Sequence, residues 1–320
     1  MPPRQKQTQI LPCGKAAIAE AARLIRAGQV VAVPTETVYG LAADGTDPEA
    51  VARIYEAKGR PAFNPLIVHV RDLAQAERLG SLGEAARAAA LAWWPGALTL
   101  VVPLRRDSGL APAVTAGIGT VALRCPAHPA MRELLEACAV PLAAPSANAS
   151  GAVSPTRAEH VLKSLDGRVP LILDGGPTEL GLESTIVAFS DDGVRLLRPG
   201  PIALEEIAAV ARLSEAKGPE RIEAPGQLPS HYAPAKPVRL DASEAEADEW
   251  LIGFGPVVGD DTLSASGDLA EAARRLFACL HRAELQSRPR IAVAPVPKQG
   301  IGAAINDRLG RAAAPRPARS

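Results

Sequence analysis

Apolar residues recur along this chain in two rhythms, and the switches between them predict its architecture. Lys15 to Ala27 puts Ile18, Leu24 and Ile25 on one helical face and closes at Gly28. The apolar run Gln29 to Val33 then reads as a buried strand, stopped by Pro34. A helix signal follows: Asp47 as N-cap, Pro48 at the first helical position, Val51, Ile54 and Tyr55 on one face, and Gly59 just past the end. Leu66 to Val70 reads as the next strand. Further helices are expected over Asp72 to Leu79, Gly83 to Trp94, Ala130 to Ala139, Pro155 to Leu165 with Ser154 as N-cap, and Leu204 to Leu213. Strands are expected over Leu98 to Pro103, Thr120 to Arg124, Pro141 to Ala144, Leu171 to Leu173, Ser184 to Phe189 and Val194 to Leu197. Strands and helices interleave, with hairpin-like neighbours late in the run. The expected fold is therefore mixed α/β (α+β), a twisted mixed sheet with flanking helices.

The texture changes over 214–237, where Pro219, Pro225, Pro229, Pro234 and Pro237 punctuate a segment with little apolar periodicity. It reads as an extended linker. A compact alternating pattern then resumes: a strand Val238 to Leu240, a helix near Glu244 to Trp250, a strand Leu251 to Phe254, a helix Leu269 to His281, a strand Ile291 to Ala294, and a helix Ile301 to Ala312. This predicts a small parallel, Rossmann-like α/β domain. The expected division is 1–213, a linker over 214–237, a second domain over 238–312, and a disordered tail over 313–320. No internal repeat is visible.

Composition narrows the picture. The chain has 320 residues, 47% hydrophobic and only 3% aromatic, so the core is expected to consist of Ala, Val, Leu and Ile. Lys+Arg and Asp+Glu balance at 35 each, which argues against an obligate nucleic-acid coater but allows a local basic groove. Cys13, Cys125, Cys138 and Cys279 show neither CxxC nor metal spacing and fit unpaired thiols of a cytoplasmic protein. The first fourteen residues carry no apolar run of the kind that directs export. Ala88 to Leu104 is long and uncharged, but Pro95-Gly96 breaks it into a helix, a turn and a strand rather than a membrane span.

Several motifs fail. There is no GxxxxGK[ST], HExxH or GxSxG, and the five histidines are scattered. Gly117-Ile118-Gly119-Thr120-Val121-Ala122 has the letters of a dinucleotide fingerprint but opens a β-branched run instead of a helix. What survives is a set of polar residues after apolar strands. Lys58 and Arg60 end a helix, Arg124 and Arg198 end strands, Ser146 and Asn148 sit in a turn, and Ser184 and Thr185 follow a Gly-rich loop. Singly, each has a plain alternative as a surface charge or turn former. Jointly they point to an anionic ligand such as a nucleotide. Backbone N–H groups of the Ser146 to Asn148 turn, beside the expected helix at Ser154, are candidate phosphate donors.

With these residues in hand, the chain resembles the YrdC-type threonylcarbamoyl-AMP synthases in their longer, two-domain form. The matching segments are PTETVYGL (34–41), KGR (58–60), NPLIVHV (64–70), SANASG (146–151), SPT (154–156), ESTIV (183–187), LRPG (197–200) and HYAP (231–234), with a looser match at Gly300 to Arg308. The chain departs from the family pattern at Pro145, where a threonine is common, and in the linker before HYAP. The resemblance implies synthesis of L-threonylcarbamoyl-AMP from L-threonine, bicarbonate and ATP, with release of pyrophosphate. Other proteins then transfer the group to tRNA, which the synthase itself contacts weakly or not at all. It implies that Thr37, His69, Arg124, Ala144 and Ser184 line a threonine pocket. Arg60, Asn64, Thr120, Ser146, Asn148, Ser154, Arg198, Ser230, His231 and Tyr232 would contact ATP, and Lys58 and Arg60 would act in catalysis. Mg²⁺ would arrive on ATP, with no metal site built from protein side chains alone.

The residue types suit that reaction. A carbamate oxygen must attack the α-phosphorus as pyrophosphate leaves, so anions approach one another and the protein contributes positioning and charge neutralisation. The Pro-rich linker is expected to close over the site and exclude water. Two other readings stay open: an RNA-binding module using the same basic cleft, and a different ATP-dependent transferase such as a carbamoyl transferase.

Overall fold

The computed structural model describes residues 7–190, 192–209, 211–214, 223–225 and 232–315. Its strands are β1 (Gln9–Pro12), β2 (Val31–Val33), β3 (Gly40–Asp44), β4 (Ile67–His69), β5 (Leu98–Pro103), β6 (Thr120–Arg124), β7 (Leu142–Ala143), β8 (Leu171–Asp174), β9 (Thr185–Ser190) and β10 (Gly193–Arg198). They form one sheet in the order β1-β8-β2-β3-β7-β4-β6-β5-β9-β10. Parallel pairs (β4 with β6, β5 with β9) mix with antiparallel ones (β2 with β3, β9 with β10), as the alternating pattern predicts.

Helices cover both faces. On one, α1 (Lys15–Arg26) and α6 (Pro129–Cys138) bury Ile18, Ile25, Met131 and Leu134 against β2, β3 and β8. The other face carries α2 (Pro48–Lys58), α3 (Leu73–Leu79), α4 (Glu84–Trp93), α5 (Pro112–Thr115) and α7 (Ala158–Leu165). The α2 start follows the sequence rules closely: the Asp47 carboxylate accepts the Glu49 N–H, and Gly59 ends the helix at φ 59°. After β10, α8 (Leu204–Ala208) is shorter than expected.

The second sheet, β11 (Val238–Arg239), β14 (Arg290–Val293), β12 (Glu249–Gly253) and β13 (Asp261–Thr262), is parallel throughout, with α9 (Leu269–Leu285) and α10 (Ile301–Ala313) packed on it. Its core takes in Val38, Val153, Leu182 and Tyr232 from outside the second domain, so the two domains share a buried seam. Gly181 marks the closest approach: a Cβ there would lie 2.4 Å from the Arg274 Cα.

Three expectations change. The segment 244–248 is not helical. Arg239 grips the Glu244 carbonyl and the Glu249 carboxylate, and Trp250 lies within β12. Ser154 is not a helix cap. The Pro155 and Thr156 carbonyls accept the Tyr39 and Thr178 N–H groups, so tertiary bonds hold this stretch extended and α7 begins at Ala158. The strands β1, β3 and β13 went unread because they are short or flanked by polar turns. Among the described residues no helix is long and apolar enough to cross a membrane.

Candidate active site

Strand ends from across the large sheet converge on one cavity. The loop after β2 brings Thr35, Thr37 and Val38. Arg60 arrives from the end of α2, His69 from β4, Arg124 from β6, and Ala144 to Ser146 from the turn after β7. Glu183 and Ser184 precede β9, Arg198 ends β10, and Pro225 and Tyr232 close the wall. Nine of the expected site residues therefore line a single hollow: Thr37, His69, Arg124, Ala144, Ser184, Arg60, Ser146, Arg198 and Tyr232.

One end is built around Arg124. Its guanidinium donates to the Glu36 carboxylate at 2.6 Å, the Thr37 hydroxyl at 2.9 Å and the Gly96 carbonyl at 3.2 Å. Burial would raise the Glu36 pKa, but Arg124 outweighs it and holds the carboxyl below the usual range. Beside it the His69 ring is buried with neither nitrogen partnered. Burial, reinforced by the Arg124 charge, lowers its pKa to about 3, so the imidazole is neutral. A neutral ring with two unused nitrogens on a cavity wall is suited to a polar ligand.

At the other end, Arg198 donates through Nε and Nη2 to the Ser184 carbonyl at 3.1 and 2.9 Å. Ser184 Oγ also shares a 2.7 Å bond with Thr99 Oγ1. Gly200 permits this: a Cβ there would lie 2.3 Å from the Thr185 nitrogen. Arg60 donates to the carbonyls of Asn64 (3.1 Å) and Pro65 (2.7 Å). Burial, with Arg198 acting in the same direction, lowers the Arg60 pKa to about 10 despite the opposing tyrosines, so it stays charged. Two buried guanidiniums therefore face one hollow, an arrangement that suits phosphate.

The remaining expected residues lie behind this wall. Lys58 does not line the cavity. Its buried ammonium donates to the carbonyls of Ser146 and Asn148, tying α2 to the turn. Asn148 folds the same turn by donating to the Ala149 and Ala152 carbonyls. Two backbone N–H groups of that turn are already used, since Ala147 donates to Tyr39 and Asn148 to Ser146, so neither of these is a free phosphate donor. Ser154 donates to Glu183, and Thr120 opens β6 away from the cavity. Asn64 is buried with both amide atoms unpartnered. Ser230 and His231 lie outside the described residues.

Sequence reasoning passed over Glu36 and Glu183, although both stand inside the quoted motifs. A carboxylate embedded among hydroxyls and arginines was the available signal. Arg308 ends the Gly300 to Arg308 match without a local signal of its role. It is fully buried, and its Nε donates to Glu183 at 2.8 Å across the domain seam. Among the described residues no group of three or more His, Cys, Asp or Glu side chains could hold a metal ion.

Fold and cavity together define a two-domain α/β protein of the YrdC-like class, with a buried, arginine-lined ligand site. The comparisons agree. The Sua5/YciO/YrdC family, described as telomere recombination, matches residues 23–200, and the threonylcarbamoyl-AMP synthase C-terminal domain matches residues 202–314. The chain is 42% identical to the threonylcarbamoyl-AMP synthase of Bacillus subtilis, over 93% of each sequence. It is 39% identical to that of Pyrococcus abyssi, over 91% of this chain and 92% of the relative. The crystal structure of P. abyssi Sua5 complexed with L-threonine superimposes with a TM-score of 0.85 at 38% identity, covering 96% of this chain and 97% of that one. This chain belongs to the threonylcarbamoyl-AMP synthase family.

Proposed function

We propose that the cavity makes L-threonylcarbamoyl-AMP from L-threonine, bicarbonate and ATP, releasing pyrophosphate. The observation that carries this reading is the convergence of Arg60, Ser146 and Arg198 with Thr37, His69, Arg124 and Ser184 on one hollow. The Arg124 end takes threonine. The remaining guanidinium hydrogens suit its carboxylate, and Thr37 and neutral His69 suit its ammonium and hydroxyl groups, with the Ser184 hydroxyl adding to them from the Arg198 side. The P. abyssi relative solved with L-threonine supports threonine as a ligand. The Arg60 and Arg198 end takes the triphosphate.

Mg²⁺ enters as part of the nucleotide substrate. The nearby carboxylates fit this, since Glu36 is engaged by Arg124 and Glu183 by Ser154 and Arg308, and neither is free to hold it. On the phosphates it adds charge neutralisation to that of the arginines. The cavity walls align the carbamate oxygen with the α-phosphorus, and no side chain is required as a base. Lys58 acts one step back, by fixing the turn that presents Ser146. The product would pass to proteins that modify tRNA in the cytoplasm, and direct contact with tRNA would be weak or absent. Tyr232, on the cavity wall, would face the nucleotide.

The test is pyrophosphate release from ATP with Mg²⁺, omitting threonine or bicarbonate in turn. Release is expected only with both. Release without threonine would favour another ATP-dependent transferase, and no release at all would favour an RNA-binding role.

A further inference from the structure

The second domain reaches the cavity wall through Arg308. Arg308, on α10, is fully buried and donates from Nε to Glu183 Oε2 at 2.8 Å. Glu183 lines the cavity, and its other oxygen accepts from the Ser154 hydroxyl. The guanidinium also lies over the Tyr232 ring, with Cζ 5.1 Å from its centroid, and donates to Asp307 at 2.7 Å. Tyr232 has φ 60°, a left-handed backbone rarely held by an aromatic residue unless its surroundings enforce it. The second domain supplies part of those surroundings: Arg308 on one side and Phe277, with ring centroids 5.7 Å apart.

We propose that Arg308 is a positioning residue for the nucleotide end of the cavity: it neutralises and orients Glu183 and holds Tyr232 in place, so the first domain's site is complete only with the second domain docked. The electrostatics explain why such a residue is needed. Glu183 and Ser184 are consecutive, and Arg198 grips the Ser184 carbonyl while Arg308 grips the Glu183 carboxylate from the opposite domain. Without Arg308, a buried carboxylate would face the phosphates uncompensated or pull Arg198 away from them. Burial works against the charge on Glu183, and Arg308 and Arg198 together keep it ionised. The Gly300 to Arg308 motif of the second domain thus acquires a role at the site. Asn306 of the same motif donates to the Val296 and Pro297 carbonyls of the preceding loop and to the Gly302 carbonyl within α10.

This inference rests on reading the cavity as a nucleotide site, and the experiment separates the two. Equilibrium binding of Mg-ATP is measured calorimetrically for the full chain and for Arg308→Met, Glu183→Gln and the double variant, each checked for a cooperative melt. Failure of the unaltered chain to bind ATP would overturn the nucleotide reading itself. If it binds, Arg308→Met should weaken ATP on the order of thirtyfold. The loss should shrink as pH falls and Glu183 takes up a proton, and the Glu183→Gln/Arg308→Met double variant should recover most of it. A merely structural arginine would show neither the pH dependence nor the rescue. Arg308→Met binding ATP normally, or a double variant no better than the single, would overturn the proposal. If Arg308→Met does not fold, Arg308→Gln supplies the same comparison.

Discussion

Replacing Lys58 with methionine separates two roles that the KGR motif leaves open. The ammonium is buried and donates to two carbonyls, Ser146 and Asn148, which hold the turn beside the cavity. Methionine fills similar space but donates nothing. Two buried acceptors that lose their donor cost roughly 1–3 kcal/mol each. Part of this is offset because burial, aided by the Arg60 charge, already disfavours the Lys58 ammonium and lowers its pKa. A net loss of about 2–4 kcal/mol would lower the melting temperature on the order of 10 °C. The loosened turn should displace Ser146, so the KM for ATP should rise about tenfold or more while kcat changes much less. Thermal melts and initial rates of pyrophosphate release against ATP give both numbers. An unchanged melting temperature with an unchanged KM and a collapsed kcat would refute the anchoring role and place Lys58 in direct contact with the reacting groups.

Three other outcomes follow from the same geometry. Arg60→Ala removes a cavity guanidinium and should lower kcat/KM on the order of a hundredfold or more, the cost of losing one donor aimed at developing charge; near-normal turnover would remove Arg60 from the mechanism. Arg124→Met leaves the Glu36 carboxylate buried and unpaired, so it should cost about 3–5 kcal/mol and abolish saturable threonine dependence. Adding Glu36→Gln should restore stability but not threonine binding, as read by urea midpoints and threonine KM. Acid should destabilise the chain through three buried histidines. Burial is the main cause that lowers His69 and His160 to about 3 and His281 to about 4, with neighbouring cations adding to it. The unfolded chain takes up protons near 6.5 that the folded chain refuses, so stability present above that pH is lost as pH falls from 6.5 toward 4. The slope should approach about 4 kcal/mol per pH unit in denaturant midpoints, and a flat profile from pH 7 to 5 would contradict it.

Strong periodicity and caps made the framework legible. Asp47, Pro48 and Gly59 marked α2 on both sides, and Thr120–Arg124 was readable end to end as a strand. What failed were segments whose structure is decided from outside. Ser154 has the chemistry of a cap, yet tertiary bonds to Pro155 and Thr156 override it. Glu244 to Trp250 has helical letters, but Arg239 and pairing with β14 pull it into a turn and a strand. The cavity wall was readable because hydroxyls and cations after apolar strands share one end of the sheet. The support behind it was not. That Lys58 faces carbonyls, that Glu36 occupies Arg124, and that Arg308 reaches Glu183 across 125 residues are long-range pairings with no local sequence signal.

The most direct measurement follows the carbon. The chain is incubated with ¹³C-bicarbonate, ATP, Mg²⁺ and L-threonine, and the nucleotide fraction is analysed at once by mass spectrometry. The account predicts an adenylate carrying both threonine and one labelled carbon, formed in step with pyrophosphate and sharply reduced when Arg60 or Arg124 is replaced. Pyrophosphate released with no threonine-bearing, labelled adenylate would contradict it.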